Sequence, residues 1–182
     1  PDPLFVPPRA HRKTAGASLP LACRLVELPR SGGARPTAHV VEYDIYYVVV
    51  NCEEGEPGIF KDRHVMEGVP HRIIEGALIA AYAAGVHTIY IYINAEAELS
   101  TQRMQQAVDQ AAQAGIIGED VLGSGYNVNV TVRRGAGGYV CGEETTLLNT
   151  MEGDRREPRL RPPFPTEAGL FGRPTSLNQC FK

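Results

Sequence analysis

Two stretches of the chain are apolar without interruption. Ile45-Tyr46-Tyr47-Val48-Val49-Val50 and Thr88-Ile89-Tyr90-Ile91-Tyr92-Ile93 are runs of β-branched and aromatic residues, the pattern of strands covered on both faces in a parallel sheet. Asn127 to Val132 alternates polar and apolar residues and predicts a third strand. Between the strands the period lengthens. Residues 71–84 bring Ile73, Ile74, Ala77, Leu78 and Ala81 onto one helical face, with Gly85 as the expected C-cap. Residues 100–114, rich in Gln and Ala, predict a second helix with Ser100 as N-cap. A third helix is expected over 143–151. Strand alternating with helix predicts an α/β fold in which the three strands are parallel neighbours.

Residues 1–44 carry no such period. Pro1, Pro3, Pro7, Pro8, Pro20, Pro29 and Pro36 interrupt any long element. The segment reads as an irregular, Pro-rich N-terminal arm that docks on a body or a partner, with Leu19 to Leu28 apolar enough to pack. Residues 45–182 then form the α/β domain. Composition adds constraints. A net charge of −3 supplies no basic field for nucleic acid. Cys23, Cys52, Cys141 and Cys180 show no CxxC spacing, so they make neither a zinc site nor a full iron–sulfur ligand set. The five histidines show no ligand spacing either. No apolar run reaches the length of a membrane span, and the N-terminus has no signal-peptide pattern. Reduced thiols and a cytoplasmic location are expected.

In parallel α/β sheets, ligands bind beyond the carboxyl ends of the strands. Here those ends are Asn51 to Glu56, Asn94 to Glu96 and Arg133 to Gly138. The third contains Gly135, Gly137 and Gly138 and leads through Tyr139, Val140 and Cys141 to Gly142-Glu143-Glu144-Thr145. Glycines let a ligand approach bare backbone, and a glycine loop that feeds a helix N-terminus favours anions and phosphates. The same pattern also occurs in ordinary strand-to-helix connections. Glu53, Glu54 and Glu56 crowd one loop, and Glu143 and Glu144 the other. Such carboxylates can do acid–base work, bind a metal, or accept hydrogen bonds from ribose, amide or flavin N–H groups; the bland alternative is a solvated acidic loop. Lys61-Asp62-Arg63 reads as a salt-bridged surface turn. Phe164, between prolines in Arg159-Leu160-Arg161-Pro162-Pro163-Phe164-Pro165, is a packed anchor or an aromatic platform for a base.

Several of these stretches together resemble one family. Asn51-Cys52-Glu53-Glu54-Gly55-Glu56-Pro57-Gly58, with Phe60-Lys61-Asp62-Arg63, is similar to the flavin loop of the NADH-binding flavoprotein subunit of respiratory complex I. The diaphorase subunits of NAD-reducing hydrogenases and NAD-dependent formate dehydrogenases share that loop. Arg134-Gly135-Ala136-Gly137, Tyr139, Cys141-Gly142-Glu143-Glu144-Thr145 and Pro158 to Pro165 resemble the family's most diagnostic run, and Gly169 to Gly172, Pro174-Thr175 and Leu177-Asn178 continue it. The match covers roughly residues 46–179.

The resemblance implies a Rossmann-like domain that holds FMN and binds NAD(H). It implies hydride transfer from nicotinamide to flavin and then single electrons to iron–sulfur clusters in other subunits of an electron-transfer complex. Carried over by position, Asn51, Glu53, Glu54, Gly55, Tyr139, Gly142, Glu143, Asn178 and Gln179 would line FMN. Glu56 and Glu144 would lie near the dinucleotide, and Phe164 would flank the adenine. Two departures stand out. Arg30-Ser31-Gly32-Gly33-Ala34-Arg35-Pro36-Thr37 only partly matches the family's phosphate-wrapping segment, with Arg35 where an aromatic is expected. The family's ubiquitin-like domain, helical bundle and four-iron cysteine motif would lie beyond Lys182. A different class of function, a scaffold or assembly subunit that keeps the fold without flavin, is the alternative that the altered segment favours.

Overall fold

The computed structural model describes residues 45–180. The expected N-terminal arm and the Arg30–Thr37 segment lie outside them. Four strands, β1 (Tyr47–Cys52), β2 (Thr88–Ile93), β3 (Asn129–Arg134) and β4 (Thr175–Gln179), form one sheet in the order β3-β2-β1-β4. Every neighbouring pair is parallel. The expected parallel neighbours are therefore present. β1 and β3 each sit two residues later than their apolar runs. Asn51 and Cys52 continue the ladder with Tyr92 and Ile93. Asn127 is engaged instead in a turn, where its Oδ1 accepts from the Asp120 amide at 2.8 Å.

Helices cover both faces. The side chains of Val48, Val50, Cys52, Ile89, Ile91 and Ile93 project to one face and pack against α1 (Lys61–Gly68), α2 (Pro70–Ala84) and α3 (Glu98–Gln113) through Met66, Ile73, Ala77 and Met104. Strand alternation sends Val49, Tyr90 and Tyr92 to the other face. There they meet Leu147 and Leu148 of α4 (Glu144–Glu152), and Leu170. After β3 the chain therefore changes face and returns to the opposite side of β1. Strand order reverses between β1 and β4, and that boundary is the switch point at which doubly wound sheets open a crevice.

Two expectations need correction, and one strand was not expected. Lys61-Asp62-Arg63 opens a helix rather than forming a surface turn, although Lys61 and Asp62 are paired at 2.6 Å. That helix forms because both carboxylate oxygens of Glu54 accept its first-turn amides, from Asp62 at 2.8 Å and Arg63 at 3.2 Å. Ser100 does not cap α3, which begins at Glu98; it is fully buried and donates to Glu67 at 2.7 Å, joining α3 to α1. β4, an edge strand with the sequence TSLNQ, has Leu177 as its single apolar residue and so carries neither an apolar run nor an alternation to read. Gly85 does cap α2, with φ +67°. No helix of the described residues is long and apolar enough to cross a membrane.

The core argument predicts a sharp contrast. Ile91→Ala, at 0% exposure, should lower unfolding free energy by about 2–5 kcal/mol. Ile79→Ala, at 64% exposure on α2, should change it by less than about 0.5 kcal/mol. Urea denaturation of both variants measures this; equal losses would contradict the packing.

Candidate functional site

Two asparagines turn the chain where the inner strands stop. The Asn51 side chain accepts from the Glu53 amide at 3.1 Å, and that of Asn94 accepts from the Glu96 amide at 2.8 Å, the local bonding that suits Asn to turns. Their free amide groups reach across the site. Asn51 Nδ2 donates to Gly142 O at 2.9 Å, and Asn94 Nδ2 donates to Glu53 Oε1 at 2.5 Å. Glu53 is thereby drawn inward to 9% exposure, and its second oxygen, Oε2, is buried without a partner among the described residues. Burial raises the Glu53 carboxyl above the ordinary glutamate value; the Asn94 bond offsets part of this and the Glu96 charge adds to it.

The glycine loop closes over this carboxylate. A Cβ on Gly135 would stand 2.9 Å from Glu53 Oε2 and 2.9 Å from the Tyr92 hydroxyl, so only glycine fits there. Gly137 and Gly138 have φ of +73° and +120°, values at which a side chain is strained. The loop is held from outside: the Ala136 amide donates to Tyr92 Oη at 3.3 Å, and Arg156 donates to Gly137 O at 2.7 Å. Tyr92 Oη also hydrogen-bonds Thr150 Oγ1 at 2.9 Å, tying the loop to α4.

The start of α4 is built by Glu143. Its Oε2 accepts from the amides of Thr145 and Thr146 at 3.0 and 2.8 Å, and from both hydroxyls at 2.6 and 3.1 Å. Partial burial pushes its carboxyl up, but these four bonds outweigh burial and hold it below the usual glutamate range. Arg161 forks between the two acids, pairing with Glu143 and, at 2.6 Å, with Glu144.

The structure thus brings Asn51, Glu53, Gly55, Gly135, Gly137, Gly138 and Gly142 into one cluster, with Glu143 and Glu144 beside it. Glu54 is directed to the α1 N-terminus. Tyr139 follows Gly138 in the same loop and Gln179 pairs with Asn51 across the β1–β4 ladder, while Glu56, Phe164 and Asn178 make no side-chain hydrogen bond into the cluster among the described residues. Sequence reasoning missed Tyr92, Arg156 and Arg161 as site residues and gave Asn94 only as part of a strand end beyond which ligands bind. Asn94 had a signal, since it follows a strand just as Asn51 ends one; the arginines had none, because their partners are distant in the chain. A buried, unpartnered carboxylate oxygen beneath a glycine-rich loop fits a flat ligand that offers N–H or O–H groups, and the loop's run into a capped helix start fits a phosphate-bearing one.

Fold and site together define a doubly wound parallel α/β domain with its polar strand ends gathered near the switch point. More narrowly, residues 22–178 match the family described as the Nuo51 FMN-binding domain, and the chain belongs to that family. It is 44% identical over 167 residues to an NADH-quinone oxidoreductase subunit of Rhizobium meliloti (strain 1021), covering 92% of this chain and 37% of that protein. It is 50% identical over 131 residues to the mitochondrial NADH dehydrogenase (ubiquinone) flavoprotein 1 of Dictyostelium discoideum, covering 72% of this chain and 27% of that one. The chain therefore spans less than two fifths of the length of either relative. Among solved structures, an NAD+-reducing NiFe hydrogenase in the H2-reduced state superposes with a TM-score of 0.67 and 33% identity, over 75% of this chain and 23% of that one.

The capping role of Glu143 predicts a pH signature. The folded chain keeps Glu143 ionised to lower pH than the unfolded chain does, so its contribution is present above the ordinary glutamate range and lost as pH falls through the folded value. Glu143→Ala should cost about 1 kcal/mol near neutral pH. Thermal unfolding from neutral to acid pH should show the two proteins converging; a constant gap would contradict the assignment.

Proposed function

We propose that this chain is the FMN- and NAD(H)-binding electron-input module of a multisubunit oxidoreductase, taking hydride from NADH and passing electrons singly to iron–sulfur clusters on partner subunits. The observation that carries this reading is the unpartnered Oε2 of Glu53 beneath Gly135. Family membership and the named relatives support it. Bound FMN supplies what no side chain can, accepting two electrons with hydride and releasing them one at a time. The chain's own residues bind and orient. Glu53 would accept a hydrogen bond from the flavin or its ribityl chain. Gly135, Gly137 and Gly138 give the ring access to backbone. The amides at the start of α4 and those of the loop favour phosphate. Glu144, held by Arg161, and Glu56 would lie near the dinucleotide, and Phe164 would flank its adenine. Asn178 and Gln179, paired with Val50 and Asn51 at the end of β4, would line the flavin as well. A peripheral, cytoplasmic-side position on the complex belongs to the same reading. The flavin-free scaffold reading is the weaker one because it leaves the Glu53 oxygen without a role.

Titration of the chain with FMN, followed by NADH without oxygen, tests the proposal. Flavin fluorescence should quench on binding, and the visible flavin band should bleach with NADH. Glu53→Gln should fold normally and weaken FMN binding about tenfold, the effect of one hydrogen bond to a charged acceptor. Failure of the wild type to retain flavin would overturn the proposal in favour of the scaffold.

Glu144→Gln separates the two ligands. Loss of its negative charge near NADH should tighten nucleotide binding severalfold and leave FMN affinity unchanged. Identical NADH affinities in wild type and variant would remove Glu144 from the dinucleotide site.

A further inference from the structure

Cys52 and Cys180 play no part in the function above, yet the sheet sets them side by side. Cys52 is the last residue of β1 and is fully buried; Cys180 follows the last residue of β4 and is half-buried. The β1–β4 register pairs Asn51 with Gln179, and the Cys180 amide donates to Asn51 O at 2.9 Å. The pairing thus runs on by one residue, and Cys52 faces Cys180. Partners in a parallel pair project to the same face, and both cysteines pack into the cluster beneath α1 and α2. Neighbouring strands lie about 4.8 Å apart, within the range of about 4.4–6.8 Å that the Cα atoms of a disulfide span. The two thiols interact: burial first, then the Cys180 thiol, pushes the Cys52 thiol well up.

We propose that Cys52 and Cys180 are a peroxide-sensitive dithiol that closes to a disulfide joining the carboxyl ends of β1 and β4. Cys180 is the more exposed of the two and reacts first. Its thiolate attacks one peroxide oxygen, the O–O bond breaks, and hydroxide leaves, giving a sulfenic acid on Cys180. The Cys52 sulfur then attacks the Cys180 sulfur; the S–O bond breaks, and its hydroxyl departs as water with the Cys52 proton. Two thiols lose two electrons and two protons, and hydrogen peroxide becomes two waters. The bond clamps the two strands that border the switch point, and added dithiol reopens it.

The test treats the purified chain with hydrogen peroxide, alkylates it, and reads intact mass and peptides mapped without reduction. Wild type should lose the mass of two hydrogens in most molecules, yield one linked pair of peptides carrying Cys52 and Cys180, and revert with dithiothreitol. Cys180→Ser should abolish the link and leave Cys52 free to alkylate once unfolded. Cys52→Ala should divert Cys180 to the sulfinic acid; should that variant not fold, Cys180→Ser and the wild-type map decide the matter. Oxygen added to Cys180 with no link would overturn the proposal. So would a link of either cysteine to Cys23 or Cys141, two thiols unchanged by peroxide, or a mass loss that persists in Cys180→Ser.

Discussion

Glu53 lies where β1 stops, beside the ends of β2 and β3, and the arrangement around it follows from keeping a carboxylate out of water. A buried carboxylate is costly unless hydrogen-bonded. Asn94 Nδ2 supplies one bond at 2.5 Å, which fixes the end of β2 against the end of β1. The other oxygen crowds Gly135 so closely that no side chain fits there. The loop after β3 must therefore be glycine where it crosses Glu53, and it is tied down by Tyr92 and Arg156. One carboxylate thus packs against the loops that leave three ladder-paired strand ends and still has an oxygen to offer a ligand.

Neighbouring acids in the same sequence do unlike jobs because the chain alternates direction. Cys52 points to the face of α1, α2 and α3, Glu53 to the glycine loop, and Glu54 back to the first turn of α1. Helix starts lack internal partners for their first amides, and here two glutamates fill that need: Glu54 for α1 and Glu143 for α4. The basic segment after α4 then acts by position. Arg159 pairs with Glu152 at 2.8 Å and bonds Asn149 and Gly169, while Arg161 straddles Glu143 and Glu144. Ion pairs as exposed as those of Arg161 add little stability; their effect is to hold the proline turn against the start of α4, close to the proposed dinucleotide edge.

Local pattern was enough to read the alternation of elements and the first three strands, β1 to β3. β1 and β2 carry continuous apolar runs because both their faces are covered, and such runs lie in consecutive residues. The glycine loop, the acidic loops and the family resemblance were legible for the same reason, since backbone freedom and charge clusters are written in short stretches. Which acid serves which purpose was settled by long-range contacts. Whether Glu53 or Glu54 turns to the site depends on where β1 ends, and the hydrogen-bonded ladder carries β1 two residues past its apolar run. β4 was likewise invisible, because an edge strand built largely of Thr, Ser, Asn and Gln owes its existence to the neighbour it pairs with. The partners of Asn94, Arg156 and Arg161 lie 41, 19 and 17–18 residues away along the chain; contacts at such separations are made by folding and leave no period or motif to read.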